Sequence, residues 1–199
     1  MKFFRSLLLL FFLLGSSPMP ASAQDQWLPP QVAEALASQV ADKMQAIDST
    51  ADRERLMTGG RRLITLIRSR LDAWGEKEVL ARAPQFPKLA MPASTQPHLD
   101  AINRYQVCNL LLDVQQAAQN DIGMRRTGVI GSAAITTAAV YLRKPFLEAG
   151  GKLPDVEKFL TGSAMQSVFD AIQNDRSLAD HVADQCTPVV TSLLQPPDE

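Results

Sequence analysis

The side chains of this 199-residue chain whose types and spacing invite chemistry are two cysteines, two histidines and a run of arginines. Cys108 and Cys186 are the only cysteines. With no C-x-x-C, thioredoxin-like exchange has no support, and an isolated pair in an oxidising compartment predicts a structural disulfide. Free thiols, a redox site or half of a metal site are the alternatives. The bridge would span 78 positions, a loop whose closure stabilises a fold by about 4 kcal/mol in the chain-entropy account.

His98 and His181 come closest to catalytic or metal-binding groupings. His98 lies near Asp100, and His181 lies between Asp180 and Asp184. Asp180 and Asp184 share a helix face at i, i+4, which a solvated surface also explains. A serine nucleophile lacks its G-x-S-x-G turn: Ser132 and Ser163 follow glycines but nothing else of the pattern is there. The S-x-x-K of penicillin-binding enzymes, H-E-x-x-H, C-x-x-C-H, the P-loop and the dinucleotide fingerprint are all missing. A haem held by Met44 and His181 has nothing to distinguish it among seven methionines. Glycosidase chemistry needs only two placed carboxylates. However, Glu34, Glu54, Glu76, Glu78, Glu148 and Glu157 fall mostly at helix starts or outer faces, where helix electrostatics puts them. No catalytic residue, metal ligand or cofactor is assigned.

Charge is segregated. Arg53, Arg55, Arg61, Arg62, Arg68 and Arg70 are opposed only by Glu54, while Pro154 to the end holds eight acids and two bases. Arginine suits planar, bidentate contact with carboxylate or phosphate. Either this helix faces the acidic C-terminal half or water, or it docks an acidic protein partner or an anionic envelope component. Arg55, Arg61, Arg62 and Arg68 are the candidates for such docking. Arg61 and Arg68, seven apart, come first.

The elements that position these groups follow a leader. Lys2 and Arg5, the apolar run Leu7–Leu14, and Ala21-Ser22-Ala23 have the charged, apolar and small-residue parts of a secretory signal peptide. Cleavage after Ala23 would leave residues 24–199 as one helical domain, placed in the periplasm or secreted. The leader takes two of the 20 basic residues, so the remainder carries 18 against 21 acidic ones, a net charge of −3 that argues against generic nucleic-acid binding.

Apolar residues then recur at helical spacing almost throughout. Pro29-Pro30 opens a helix carrying Val32, Leu36 and Val40, and a Ser49/Asp52 capping box opens a second with Leu63, Ile67 and Leu71. Gly59-Gly60 predicts a hinge or a close helix approach. Residues 83–97 form a Pro-rich linker, a crossover or a mobile functional segment. The helix from Pro97 has an apolar face wide enough to be central, with Cys108 in its middle. Gly123 marks a break. Residues 128–142 carry no charge, yet are too short and too rich in small residues for a membrane span, and predict a helix buried on most sides. Pro145 ends or kinks it. Short helices follow from Pro154 and Ser163, and a last one, capped by Ser177/Asp180, meets Pro188.

The expected fold is an all-α, single-domain irregular bundle of six or seven helices pinned by Cys108–Cys186. The expected function, by exclusion of catalytic patterns, is an exported, non-enzymatic protein binding a macromolecular partner in the cell envelope, of the immunity, inhibitor or secretion-adaptor type. An envelope hydrolase acting on peptidoglycan or lipid, and a carrier of an apolar ligand, are the competing expectations.

Overall fold

Helical periodicity with no sustained alternation builds a helical protein. The computed structural model describes residues 27–91 and 94–195. The leader expected at 1–23 lies outside the described residues. Among the described residues there is no strand, and eight helical segments follow in order: α1 (Pro30–Ile47), α2 (Arg53–Ala81), α3 (Pro97–Ala118), α4 (Ile122–Tyr141), α5 (Arg143–Glu148), α6 (Leu153–Thr161), α7 (Ser163–Asn174) and α8 (Arg176–Leu194). Counting the six-residue α5 as the tail of α4 gives seven, within the six or seven expected. The fold is an all-α bundle with one disulfide, Cys108–Cys186, its Cα atoms 5.6 Å apart.

The α1 stripe read from spacing is buried, and so are Ile67 and Leu71 of α2, but Leu63 is only half-buried and Ile64 beside it lies in the core. Val32, Leu36 and Val40 of α1 belong to one core with Ile64, Ile67 and Leu71 of α2. α1 packs along α2, α3 packs along α4, and α4 also meets α1 and α2. α3 is central: it touches α2, α4, α5, α6, α7 and α8, and Ile102, Tyr105, Val107 and Cys108 are fully enclosed. α4 is buried on most sides, with Ala134, Ile135, Ala138 and Ala139 inaccessible. Its small residues let α3 approach. No helix among the described residues is long and apolar enough to cross a membrane.

Several boundaries differ from the sequence reading. Asp52, not Ser49, caps α2, its carboxylate accepting the N–H groups of Glu54 and Arg55. Asp175, not Ser177, caps α8 by accepting from Leu178 at 3.1 Å. A carboxylate satisfies orphan amides and complements the positive helix end at once. The break before α4 falls at residues 119–121, with Asp121 as cap and Gly123 already helical. Pro188 does not stop α8, which continues to Leu194. Pro188 is exposed, while Val182, Cys186, Val189 and Leu193 on the other side hold the helix in place.

Gly59-Gly60 is no hinge, since α2 runs straight through it; the non-helical residue is Gly75, at φ 69° and ψ 171°. That backbone region belongs almost only to glycine. In the Pro-rich linker, Ala83, Phe86 and Leu89 are buried, so these residues anchor the crossover to the core.

The C-terminus of α2 shows how α3 organises its neighbours. The last carbonyls of a helix lack intrahelical partners. Val79 is fully buried, and its carbonyl accepts the Tyr105 hydroxyl at 2.9 Å. Burial pushes the Tyr105 phenol well above its ordinary range, with Arg82 opposing weakly. The neutral form therefore stabilises the fold fully below pH 10 and loses that contribution as pH rises past the unfolded-state value. We expect Tyr105→Phe to cost about 1–2 kcal/mol at pH 7, the worth of a buried hydrogen bond. That cost falls by roughly 1.4 kcal/mol by pH 11, where the wild-type phenol titrates in the unfolded state. Burial pulls Arg143 the other way, down to about 10, which adds stability over the same range. Urea titrations of both proteins at pH 7 and 11 cancel that common term. A cost independent of pH would disprove the assignment.

Candidate functional site

The arginines of α2 divide by what their guanidinium groups touch. Arg53 donates to Asp42 at 2.8 Å and to Ser38 at 3.3 Å. Arg61 is bidentate on Glu34 of α1, with Nε and Nη2 at 3.0 and 2.6 Å from the two carboxylate oxygens. That guanidinium holds the Glu34 carboxyl below the usual carboxylate range, the reverse of what a general acid needs. Arg68 lies 3.6 Å from Asp72, whose carboxylate also takes the indole N–H of Trp27 at 2.6 Å. Arg70 is buried and donates twice to the carbonyl of Gln195, at 3.0 and 2.7 Å, tying α2 to the end of α8.

Arg55 and Arg62 are different. Both are exposed, and neither makes an ion pair or a side-chain hydrogen bond among the described residues. The structure thus separates the four candidates: Arg61 and Arg68 are engaged within the chain, and Arg55 and Arg62 point outward. The carboxylates that meet α2 come from α1 and from α2 itself, and the tie to α8 runs through a carbonyl. Among the described residues, the carboxylates of the C-terminal half form no ion pair with Arg53, Arg55, Arg61, Arg62 or Arg68.

A polar cluster that the sequence reading missed joins three helices. Lys43 of α1 lies 2.7 Å from Asp113 of α3 and donates to Ser132 of α4 at 3.2 Å. Ser132 in turn donates to Asn109 at 2.5 Å and lies 3.2 Å from Asp113. Asp113 inside the run Leu110-Leu111-Leu112-Asp113-Val114 was the available signal, because a carboxylate amid apolar neighbours needs a cation. The hydroxyl of Ser132 has serine-hydrolase neighbours in type only. Its lysine is committed to the Asp113 carboxylate at 2.7 Å. Ser132 itself is buried at 3 % exposure.

The histidines lie apart from one another's carboxylates. His98 meets Glu76 at 2.8 Å rather than Asp100, which pairs with Arg104 at 2.6 Å. His181 keeps its Nε2 buried with no hydrogen-bond partner among the described residues. No three His, Cys, Asp or Glu side chains among the described residues come together as metal ligands. Met44 packs against the core.

One open groove of about 680 Å³ lies between the C-terminal half of α3, the start of α4 and the end of α8. Leu111, Leu112, Val190 and Leu194 supply apolar lining, and Gln, Thr and Gly fill most of the rest, with no charged side chain among the described residues. Ile122 and Met124, both exposed, stand at the start of α4, Met124 on the lining itself. Cys186 also lines it, so the disulfide forms part of the wall.

Comparison of the chain with known protein families, with curated proteins and with solved structures finds no match.

Proposed function

We propose that this chain is exported to the periplasm or beyond, and that it binds an acidic protein partner in the cell envelope through the outer face of α2 instead of catalysing a reaction. The immunity, inhibitor and secretion-adaptor roles share that requirement. The observation that carries the reading is the pair Arg55 and Arg62, two exposed guanidinium groups on one helix that meet no carboxylate among the described residues. An arginine pair of this kind gives a partner's carboxylates bidentate contacts and faster encounter. The leader pattern at 1–23 and a disulfide compatible with an oxidising compartment support the location.

A carrier of an apolar ligand is the second reading, favoured by the groove beside Cys186 and its apolar lining of Leu111, Leu112, Val190 and Leu194. Lipid retained through purification and detected by mass spectrometry is its signature.

The docking reading is tested by charge reversal. We expect Arg55→Glu with Arg62→Glu to lower partner affinity at least about tenfold, because reversed charges repel the surface they formerly attracted. The melting temperature should stay unchanged. Photo-crosslinking from Thr58 in exporting cells, followed by titration of the captured protein, reads both. Undiminished affinity in the double variant would sink the reading.

A further inference from the structure

α2 carries a strip on its outer face that the fold does not explain. Arg55, Gly59, Arg62 and Leu66 stand at i, i+4, i+7 and i+11, one above the next along the helix. Arg55 and Arg62 are about 10.5 Å apart along the axis at 1.5 Å per residue. Gly59 lies midway, exposed, and a Cβ built on it meets nothing within 4 Å. An exposed glycine inside a helix lowers its stability by about 1 kcal/mol relative to alanine. The adjacent Gly60 has a reason within the chain, since its missing Cβ would strike the carbonyl oxygen of Ala37 at 2.7 Å. Gly59 has none. Leu66 continues the strip as a partly exposed apolar side chain outside the core cluster. A merely solvated face calls for neither a glycine nor a leucine, and here both fall in line with the two arginines that meet no carboxylate among the described residues.

We infer that this strip receives an α-helix of the partner protein, laid across α2 at Gly59. Without a side chain at position 59 the two backbones can come nearer than the usual 8–10 Å between packed helix axes. The chemistry of that helix follows from the strip. It carries carboxylates about two turns apart to meet Arg55 and Arg62, a small residue between them opposite Gly59, and an apolar side chain against Leu66. The inference rests on the docking role proposed for Arg55 and Arg62 and adds to it what the bound element is.

The test uses the exported, oxidised protein and a synthetic helical peptide with glutamates seven residues apart, alanine midway and leucine one turn beyond. Binding is followed by fluorescence anisotropy. We expect Gly59→Trp to weaken the peptide at least about tenfold with no loss in melting temperature, since position 59 faces open space. Placing tryptophan at the peptide's midpoint should weaken binding to the unsubstituted protein equally. Arg55→Glu with Arg62→Glu should abolish binding. If Gly59→Trp binds as tightly as the parent while the charge reversal still weakens binding, the close helix approach is wrong and the arginine docking role stands. If the charge reversal changes nothing, the docking role fails and the inference with it. Tighter binding to phosphatidylglycerol vesicles than to the peptide, with the same dependence on Arg55 and Arg62, overturns the helix in favour of a membrane surface.

Discussion

Replacing Cys108 and Cys186 together by alanine is expected to lower the unfolding free energy by about 4 kcal/mol. The bridge closes 78 residues, and the unfolded chain gains most when so long a loop is released. It also joins the most enclosed helix to one of the less enclosed. α3 touches six other helices, whereas α8 rests on its neighbours through Val182, Val189 and Leu193, with Arg70 holding the Gln195 carbonyl at its end. Domains of this size are stable by only about 5–15 kcal/mol, so the loss is a large share of the total. Hydrogen exchange should localise the first opening to α8. The groove wall formed by Cys186, Val190 and Leu194 should loosen with it. Guanidinium titration of the double variant against the parent measures the effect. A difference below about 1 kcal/mol would show that the bridge constrains little, and an opening that begins in α1 or α2 would contradict the assignment to α8.

Gly60→Ala is expected to lose about 2 kcal/mol, within the range for overpacking a tight contact. Gly59→Ala one position earlier is expected to gain up to about 1 kcal/mol from helix propensity. The two glycines are chemically identical and adjacent, so propensity alone assigns them the same benefit from alanine. The difference is where each α-carbon points. At Gly60 the new methyl would lie 2.7 Å from the Ala37 carbonyl oxygen and 3.2 Å from the Ala37 α-carbon, both rigid backbone of α1. Relief requires α1 to move off α2, which disturbs the core that buried residues of the two helices, Leu36 and Val40 with Met57 and Ile64, build together. At Gly59 the same methyl enters solvent. Thermal melts of the two single variants should shift in opposite directions. A common sign would mean that α1 does not pass over α2 at residue 60. The gain at Gly59 would also show that the native glycine is kept at the expense of stability, as a docking platform requires.

Much of the helical layout was legible because a helix buries one face and the apolar residues on that face recur every three or four positions. Val32, Leu36 and Val40 announced α1, and Pro97 and Pro154 marked starts, because proline lacks only an amide that the first turn does not use. The uncharged stretch 128–142 proved buried for the reason its composition suggested. Caps were less legible. Ser49 and Asp52 both suit the start of α2, and the choice depends on which side chain meets the free amides once the turn at Asp48–Ala51 has closed. Pro188 was misleading because its cost within a helix falls on a local hydrogen bond, while the packing of Val182, Cys186, Val189 and Leu193 that outweighs it is supplied by other helices.

The helices, their apolar faces and the two sulfurs available for a cross-link were therefore written in the order of residues, since each depends on neighbours within a few turns. Which arginines of α2 are engaged, which glycine admits another backbone, and how Lys43, Asp113, Ser132 and Asn109 meet were decided only in three dimensions. These depend on the rotation and spacing of helices against one another, set by packing between segments up to 125 residues apart. A local period has no means of recording that.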